Sequence, residues 1–275
     1  MTIARLMQMA RAGVPSGPVW TDPDLANASY DSVSFSVAGQ GSGCRSVSFA
    51  SNGDYMYVVS DGDNEVNQYT LSTPWDITTA TFTQNFSVGG QDTNPSGFYI
   101  RDDGSSFFIV GFQSDDVNEY GMSTAFDLSS ASFVRSFSVA SQEATPTGLY
   151  FSASGLLMYV IGTTGDDVNE YGLSTAWDIS TAFFTHGFSV ASQDASLLDL
   201  LFNPDGTRMY IVGNENDKVY QYNLSSGGDV STASFSLDFS VAGQATAPTG
   251  ATFKSDGSKM YVLDFGGTIY QYSTD

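Results

Sequence analysis

The residues best suited to handling a ligand are aromatic–aspartate pairs. Trp75-Asp76, Phe126-Asp127 and Trp177-Asp178 recur at a constant step of 51 residues. A ring can stack on a sugar face while the neighbouring carboxylate accepts its hydroxyls, so the pattern fits binding repeated around a molecule. The next copy reads Gly228-Asp229, and an N-terminal one reads Pro23-Asp24. The aspartate persists where the aromatic is lost, which points first to a turn-forming or capping role and second to a ligand. Acidic turns at Asp61-Gly62-Asp63-Asn64-Glu65, Asp115-Asp116 and Asp166-Asp167 offer clustered oxygens of the kind calcium takes. They lack a twelve-residue loop spacing, and the fifth copy, Gly266-Gly267-Thr268, has no acid. These turns read as solvated hairpins whose Asp and Asn bond their own backbone, and no metal site is expected.

Catalytic chemistry finds little to work with. Among five equivalent apolar segments, only Asp199 adds a carboxylate, where the other copies have Ser46, Gly97, Gly148 and Gly250. Glycoside hydrolysis needs two carboxylates across the scissile bond, so an enzyme would require a second acid near Asp199. Asp199 and Arg45 are expected at the mouth of a central channel. Cys44 is the one cysteine, which excludes an intrachain disulfide and a cysteine zinc site. His186 is the one histidine. No catalytic residue and no cofactor is expected.

What must position these residues is a repeat. Phe-Ser-Val followed by glutamine occurs at Phe35…Gln40, Phe86…Gln91, Phe137…Gln142, Phe188…Gln193 and Phe239…Gln244, always 51 residues apart. A fixed period near 50 residues marks a repeat architecture. In the unit from Pro146 to Val190, 147–151 reads as a first strand and Ser154-Gly155 as a tight turn. The equivalent glycines Gly53, Gly104, Gly206 and Gly257 follow Asn or Asp, a two-residue hairpin signal requiring positive φ at both positions. Second strands such as Met158-Tyr159-Val160-Ile161 are apolar at consecutive positions, as expected for burial on both faces. A third strand (168–171) follows. The fourth alternates, as in Phe133, Arg135, Phe137 and Val139, which marks one solvated face. Each unit is therefore a four-stranded antiparallel blade. The five glutamines are expected to join blade to blade.

The two chain ends complement each other. The last unit stops at Asp275, short of its outer strand, and residues 21–34 supply a matching piece. The expected fold is all-β: a five-bladed β-propeller over 21–275, its last blade made of 239–275 plus 21–34. Tyr30 lies five residues before Phe35, whereas Phe133 lies four before Phe137, so a bulge is expected near Asp31.

Thirty acidic residues against nine basic ones give a net charge of −21 over 275 residues. That balance disfavours nucleic acid and anionic lipid, which need a basic footprint. No apolar run approaches a membrane span or a secretory signal.

Residues 1–20 differ from the rest. Ile3, Leu6, Met7, Ala10 and Val14 have amphipathic helical spacing, Arg5 and Arg11 are the only charges, and Gly13, Pro15, Gly17 and Pro18 form a linker. A helix this short needs something to dock on. The stretch MTIARLMQMARAGV resembles the N-termini of virion structural proteins of marine bacteriophages. The units PTGLYFSASGLLMYVIGTTGDDVNEYGLSTAWDIST and their copies look like a propeller repeat family of marine phage and bacterial proteins, and are similar to surface-layer and lactonase-like propeller repeats. The resemblance implies a non-enzymatic virion structural or attachment protein. An arm made of Ile3, Arg5, Leu6, Met7, Ala10 and Arg11 would dock on capsid or tail proteins, and the acidic propeller would face outward. The alternative expectation is an extracellular, multivalent binder of host-surface glycans.

Overall fold

A computed structural model describes residues 20–275; the expected arm and its docking residues Ile3, Arg5, Leu6, Met7, Ala10 and Arg11 lie outside the described residues. After β1 (Ser29–Ser36) the chain builds four consecutive sheets and part of a fifth. Blade I is β2 (Cys44–Phe49), β3 (Tyr55–Ser60), β4 (Glu65–Leu71) and β5 (Ala80–Ser87). Blade II is β6 (Pro95–Ile100), β7 (Ser106–Gly111), β8 (Asp116–Met122) and β9 (Ala131–Ser138). Blade III is β10 (Pro146–Phe151), β11 (Leu157–Gly162), β12 (Asp167–Leu173) and β13 (Ala182–Ser189). Blade IV is β14 (Leu197–Phe202), β15 (Arg208–Gly213), β16 (Lys218–Leu224) and β17 (Ala233–Ser240). Blade V is β18 (Pro248–Phe253), β19 (Lys259–Asp264) and β20 (Thr268–Ser273), completed by β1. The first strands touch in the closed order β2, β6, β10, β14, β18 and back to β2, so five blades surround one axis.

Burial follows the strand patterns. Every residue of β7 is buried because a blade lies on each side. Apolar clusters fill the space between neighbouring blades: Tyr159, Ile161 and Val168 of blade III meet Leu200, Phe202 and Ile211 of blade IV. Each such side chain contributes about 1.5–3 kcal/mol when fully buried. The outer strands do not alternate cleanly, because a bulge interrupts the pairing in each one, as between Glu119 and Tyr120 opposite β9. The bulge turns Phe82, Phe133, Phe184 and Phe235 to the rim, 38–44% exposed. There each packs edge-on against Tyr69, Tyr120, Tyr171 or Tyr222.

The first hairpin of each blade differs from the two-residue form expected. Gly53, Gly104, Gly155, Gly206 and Gly257 take φ of 67–79°, but the residue before each does not enter the left-handed region. Asn52, Asp103, Asp205 and Asp256 act through their side chains, accepting the N–H two residues on at 2.9–3.1 Å. The turn is a longer one closed by Gly53 N–H to Ala50 O (2.8 Å) and Ala50 N–H to Tyr55 O (2.9 Å). The repeated glutamines do join blades. Gln40, Gln91, Gln142, Gln193 and Gln244, in the linkers, accept from Tyr69, Tyr120, Tyr171, Tyr222 and Tyr272 of the blade each linker enters, at 3.0–3.4 Å.

The ring closes where β1 pairs with β20, and the register slips between Tyr30 and Val33 as the bulge near Asp31 requires. Ser32 takes φ 60° there. The bulge aims the Asp31 carboxylate inward to accept from Lys259 Nζ (2.8 Å), Gln271 Nε2 (2.8 Å) and Ser273 Oγ (2.6 Å). Burial works to raise its pKa, but Lys259, Ser273 and Gln271 together hold it below the usual aspartate value. A depressed carboxylate contributes stability that is complete above the unfolded value near 3.9 and is lost as pH falls through the folded one. Asp31→Ala should lower the unfolding free energy by about 1–3 kcal/mol at pH 7 and by clearly less at pH 3. Urea denaturation at both pH values would measure this, and an equal loss at both would refute the ionic anchor.

Candidate functional site

One face of the propeller carries the first hairpins and the loops between third and fourth strands. The aromatic–aspartate pairs lie in those loops. Asp76, Asp127, Asp178 and Asp229 each cap a short 3-10 turn, Ile77–Thr79, Leu128–Ser130, Ile179–Thr181 and Val230–Thr232. Each accepts the N–H two residues on at 2.9–3.1 Å and that residue's hydroxyl at 2.5–2.7 Å. Asp24 accepts Ala26 N–H in the same way. The hydrogen bonds from Gln84 and Ser129 hold Asp127 below the usual carboxylate range, as those from Ser180 and Arg135 do Asp178. The invariant acid is thus a cap.

The aromatic partners sit in an unusual backbone region. Trp75, Phe126 and Trp177 take φ of 67°, 64° and 65°. Strain there is roughly 1–3 kcal/mol per residue. It turns each ring onto the positive-φ glycine of the same blade's first hairpin, where a Cβ on Gly53, Gly104 or Gly155 would enter the ring. Trp177 packs among Tyr99, Phe108 and Phe151, with the Arg101 guanidinium 4.8 Å from its ring centre. Trp75 and Phe126 are likewise part-buried, against Phe49 and Tyr55. Their backbone is used too: Trp75 O, Phe126 O and Gly228 O accept from Tyr261, Tyr57 and Tyr159 of the preceding blade at 2.7–2.9 Å.

A second set of contacts at these joints was not visible in the sequence. In joint I/II, Gln84 Nε2 donates to Gln68 Oε1 and Asp127 Oδ1, both at 2.8 Å. In joint II/III, Arg135 lies between Glu119 and Asp178. In joint III/IV the same places hold Glu170, His186 and Asp229, whose ligand atoms lie within 4.8 Å of one another. Glu170 is committed there, accepting Val230 N–H at 3.0 Å and Thr185 Oγ1 at 2.8 Å. The grouping reads as one more version of a bridge that amide and guanidinium make elsewhere.

The opposite face carries the interblade linkers and the acidic turns. Asn64, Asp115, Asp166 and Asp217 take φ of 51–57°, and Gly267 takes 80°. These are residue types that tolerate the left-handed region, which accounts for the acids of those turns. Their carbonyls accept the N–H of Val88, Val139, Val190, Val241 and Val37. Three buried carboxylates were missed, Asp92, Glu143 and Asp194, each directly after a repeated glutamine. They tie linker to turn: Asp92 accepts from Asn94 N–H (2.7 Å) and Ser114 N–H (3.0 Å), and Glu143 from Thr145 N–H (2.8 Å) and Thr164 N–H (3.1 Å). Their shared position after the glutamine was the available signal.

On the axis, a cavity of about 270 Å³ opens toward the hairpin face, its wall including Asp102, Asp199, Tyr99 and Tyr150. Asp199 lies inside, accepting Leu200 N–H (2.9 Å) and Ala251 N–H (3.1 Å). Burial pushes it up to about 8 against the pull of those two donors. Arg45 does not share this cavity. It stands toward the other end of the channel between the rings of Phe112 and Phe265, paired with Asp61 at 2.6 Å. A protonated carboxyl can donate one hydrogen bond.

The fold and this axial cavity define a five-bladed repeat propeller. No family model matches the chain, and no curated protein does. Among solved structures it is similar to a functionally unknown protein from Desulfotomaculum acetoxidans, at 14% identity and TM-score 0.50, covering 82% of this chain and 63% of that one. It is also similar to a "putative 6-phosphogluconolactonase" from Bacteroides uniformis, at 13% identity and TM-score 0.50, covering 84% of this chain and 71% of that one. The chain thus spans less than two thirds of the first of these proteins, and the likeness is one of fold.

With a folded pKa of about 8 for Asp199 and an unfolded one near 3.9, the folded state holds the extra proton in between. Stability then falls as pH rises through that window, by up to about 1.4 kcal/mol per unit. Asp199→Ser, which copies Ser46 of blade I, should flatten the stability profile between pH 4 and 8. Parallel profiles for variant and parent would mean that Asp199 is ionised in the folded protein.

Proposed function

We propose that this protein is a non-enzymatic structural or attachment component of a particle, of the kind a tailed-phage virion carries. Residues 1–19 dock it and the acidic propeller is displayed. The observation that carries this reading is the wall of the axial cavity. Among the described residues its ionisable groups are Asp102, Asp199 and two tyrosines, with no lysine, arginine or histidine. A phosphorylated sugar lactone, the substrate in the name of the Bacteroides protein, bears a dianion for which such a wall offers no cationic partner. The net charge of −21 disfavours such an anion further and keeps a densely displayed module soluble.

The point of entry into the propeller supports the same reading. Trp20 stands edge-on to Phe253 at 6.1 Å, and Thr21 donates to Asp256 O through both N–H (2.8 Å) and Oγ1 (2.9 Å). The chain is therefore pinned at the hairpin face of blade V, and docking through residues 1–19 turns that face toward the particle. The linker face, with its acidic turns, points outward.

A version beginning at Trp20 should keep the melting temperature of the full chain, since every described contact remains. It should fail to enter particles and sediment as a monomer. Incorporation of the truncated protein would overturn the docking role. Adhesion of the truncated propeller to host cells would reassign attachment to the propeller, with Trp75, Phe126 and Trp177 the first positions to substitute.

A further inference from the structure

Four of the five blade joints on the hairpin face are filled by an aromatic ring. Trp75, Phe126 and Trp177 cover Gly53, Gly104 and Gly155, and Trp20 lies beside Gly257 in blade V. The fourth blade has Gly228 in that place. The surroundings of the missing ring nevertheless persist. The indole of Trp177 is framed by Tyr99, Phe108, Phe151, Arg101 and Gly155. The residues 51 positions on are Tyr150, Tyr159, Phe202, Ser152 and Gly206, and with Gly228 all of them line an open cavity of about 480 Å³. That volume lies within the roughly 300–1,000 Å³ typical of small-molecule sites. Leu157 takes the place of Ser106 and leans toward the gap, yet the cavity remains.

We propose that this vacated slot between blades III and IV is a ligand site for a flat aromatic ring of indole size carrying a positive charge. The ring preference comes from the template, since the same frame one blade earlier holds an indole. The charge preference comes from two differences. Arg101, which lies over the Trp177 ring, is replaced by Ser152, so the slot has lost its guanidinium. Asp205 stands on its wall, and no lysine, arginine or histidine does. A ligand that brings its own ammonium supplies the missing cation beside the aromatic rings and the carboxylate. An anionic ring finds no cationic side chain on that wall. The backbone is ready for such an occupant, because Tyr159 Oη already holds Gly228 O at 2.8 Å and Gly228 N–H holds Gly206 O at 3.0 Å.

The test is calorimetric titration of the full chain with tryptamine, indole and indole-3-acetate. One saturable site is expected for tryptamine, with indole weaker and indole-3-acetate at least tenfold weaker than tryptamine. Leu157→Ser with Gly228→Trp rebuilds the filled joint of blade III and should abolish binding. Ser152→Arg, a single change at a half-buried position that restores the guanidinium, should weaken tryptamine at least tenfold, with its melting temperature measured alongside, even if the double variant fails to fold. Trp177→Gly should open a second slot, and there Arg101 should favour indole-3-acetate over tryptamine. No saturable binding of any of the three compounds would overturn the proposal. So would tryptamine binding that Ser152→Arg leaves unchanged.

Discussion

The whole molecule depends on how closely five strands can approach one axis. At Ser46, Gly97, Gly148, Asp199 and Gly250 the first strands of neighbouring blades nearly touch. A Cβ on Gly97 would lie 2.8 Å from Gly148 Cα, one on Gly148 would lie 2.9 Å from Asp199 Cα, and one on Gly250 would lie 3.1 Å from Ser46 Cα. Side-chain hydroxyls beside this ring bind strand to strand: Ser96 to Thr147 O, Thr147 to Leu197 O, and Thr249 to Cys44 O, at 2.7–2.9 Å. The axial cavity opens where the strands diverge toward the hairpin face.

Away from the axis the blades spread, and aromatic rings fill the widening wedges between them. The joints then follow one plan with interchangeable parts. At joints I/II, III/IV and V/I a second-strand tyrosine donates to a loop carbonyl of the next blade, an aspartate caps the turn behind it, and at joints I/II, II/III and III/IV polar side chains of the outer strand reach that cap. Gln84, Arg135 and His186 occupy the bridge in turn, so its charge varies while its geometry holds. A joint built from several independent contacts tolerates the loss of one. That redundancy is why blade IV can replace its aromatic by Gly228 without losing the fold, and why a second cavity appears there besides the one on the axis.

Most of the carboxylates have structural work. Asp31 anchors the closing strand, and Asp76, Asp127, Asp178 and Asp229 cap turns. Asp92, Glu143 and Asp194 gather backbone N–H groups that would otherwise be buried unpaired, and each such omission costs on the order of 1–3 kcal/mol. The acidity of the chain is therefore built partly from turns, which favour Asp and Asn because both tolerate the left-handed backbone region and bond locally.

The sequence by itself determined the number of blades, the order of their strands, the closure of the last blade by residues before Phe35, and the bulge near Asp31. Each of these is written in a period of 51 or in strand alternation, which depend only on neighbours along the chain. It also located the capping aspartates, since an acid that outlasts its aromatic partner signals local hydrogen bonding. Tertiary structure alone decided the rest. That Trp75, Phe126 and Trp177 spend ring faces on blade packing, that Asp92, Glu143 and Asp194 are buried, and that Glu170, His186 and Asp229 converge, all depend on residues brought together from different strands, linkers and blades. A loss such as Gly228 is plain in the sequence as a break in a pattern. Whether that break is filled by a neighbour or left open depends on the volume of everything around it, and only packing in three dimensions settles that.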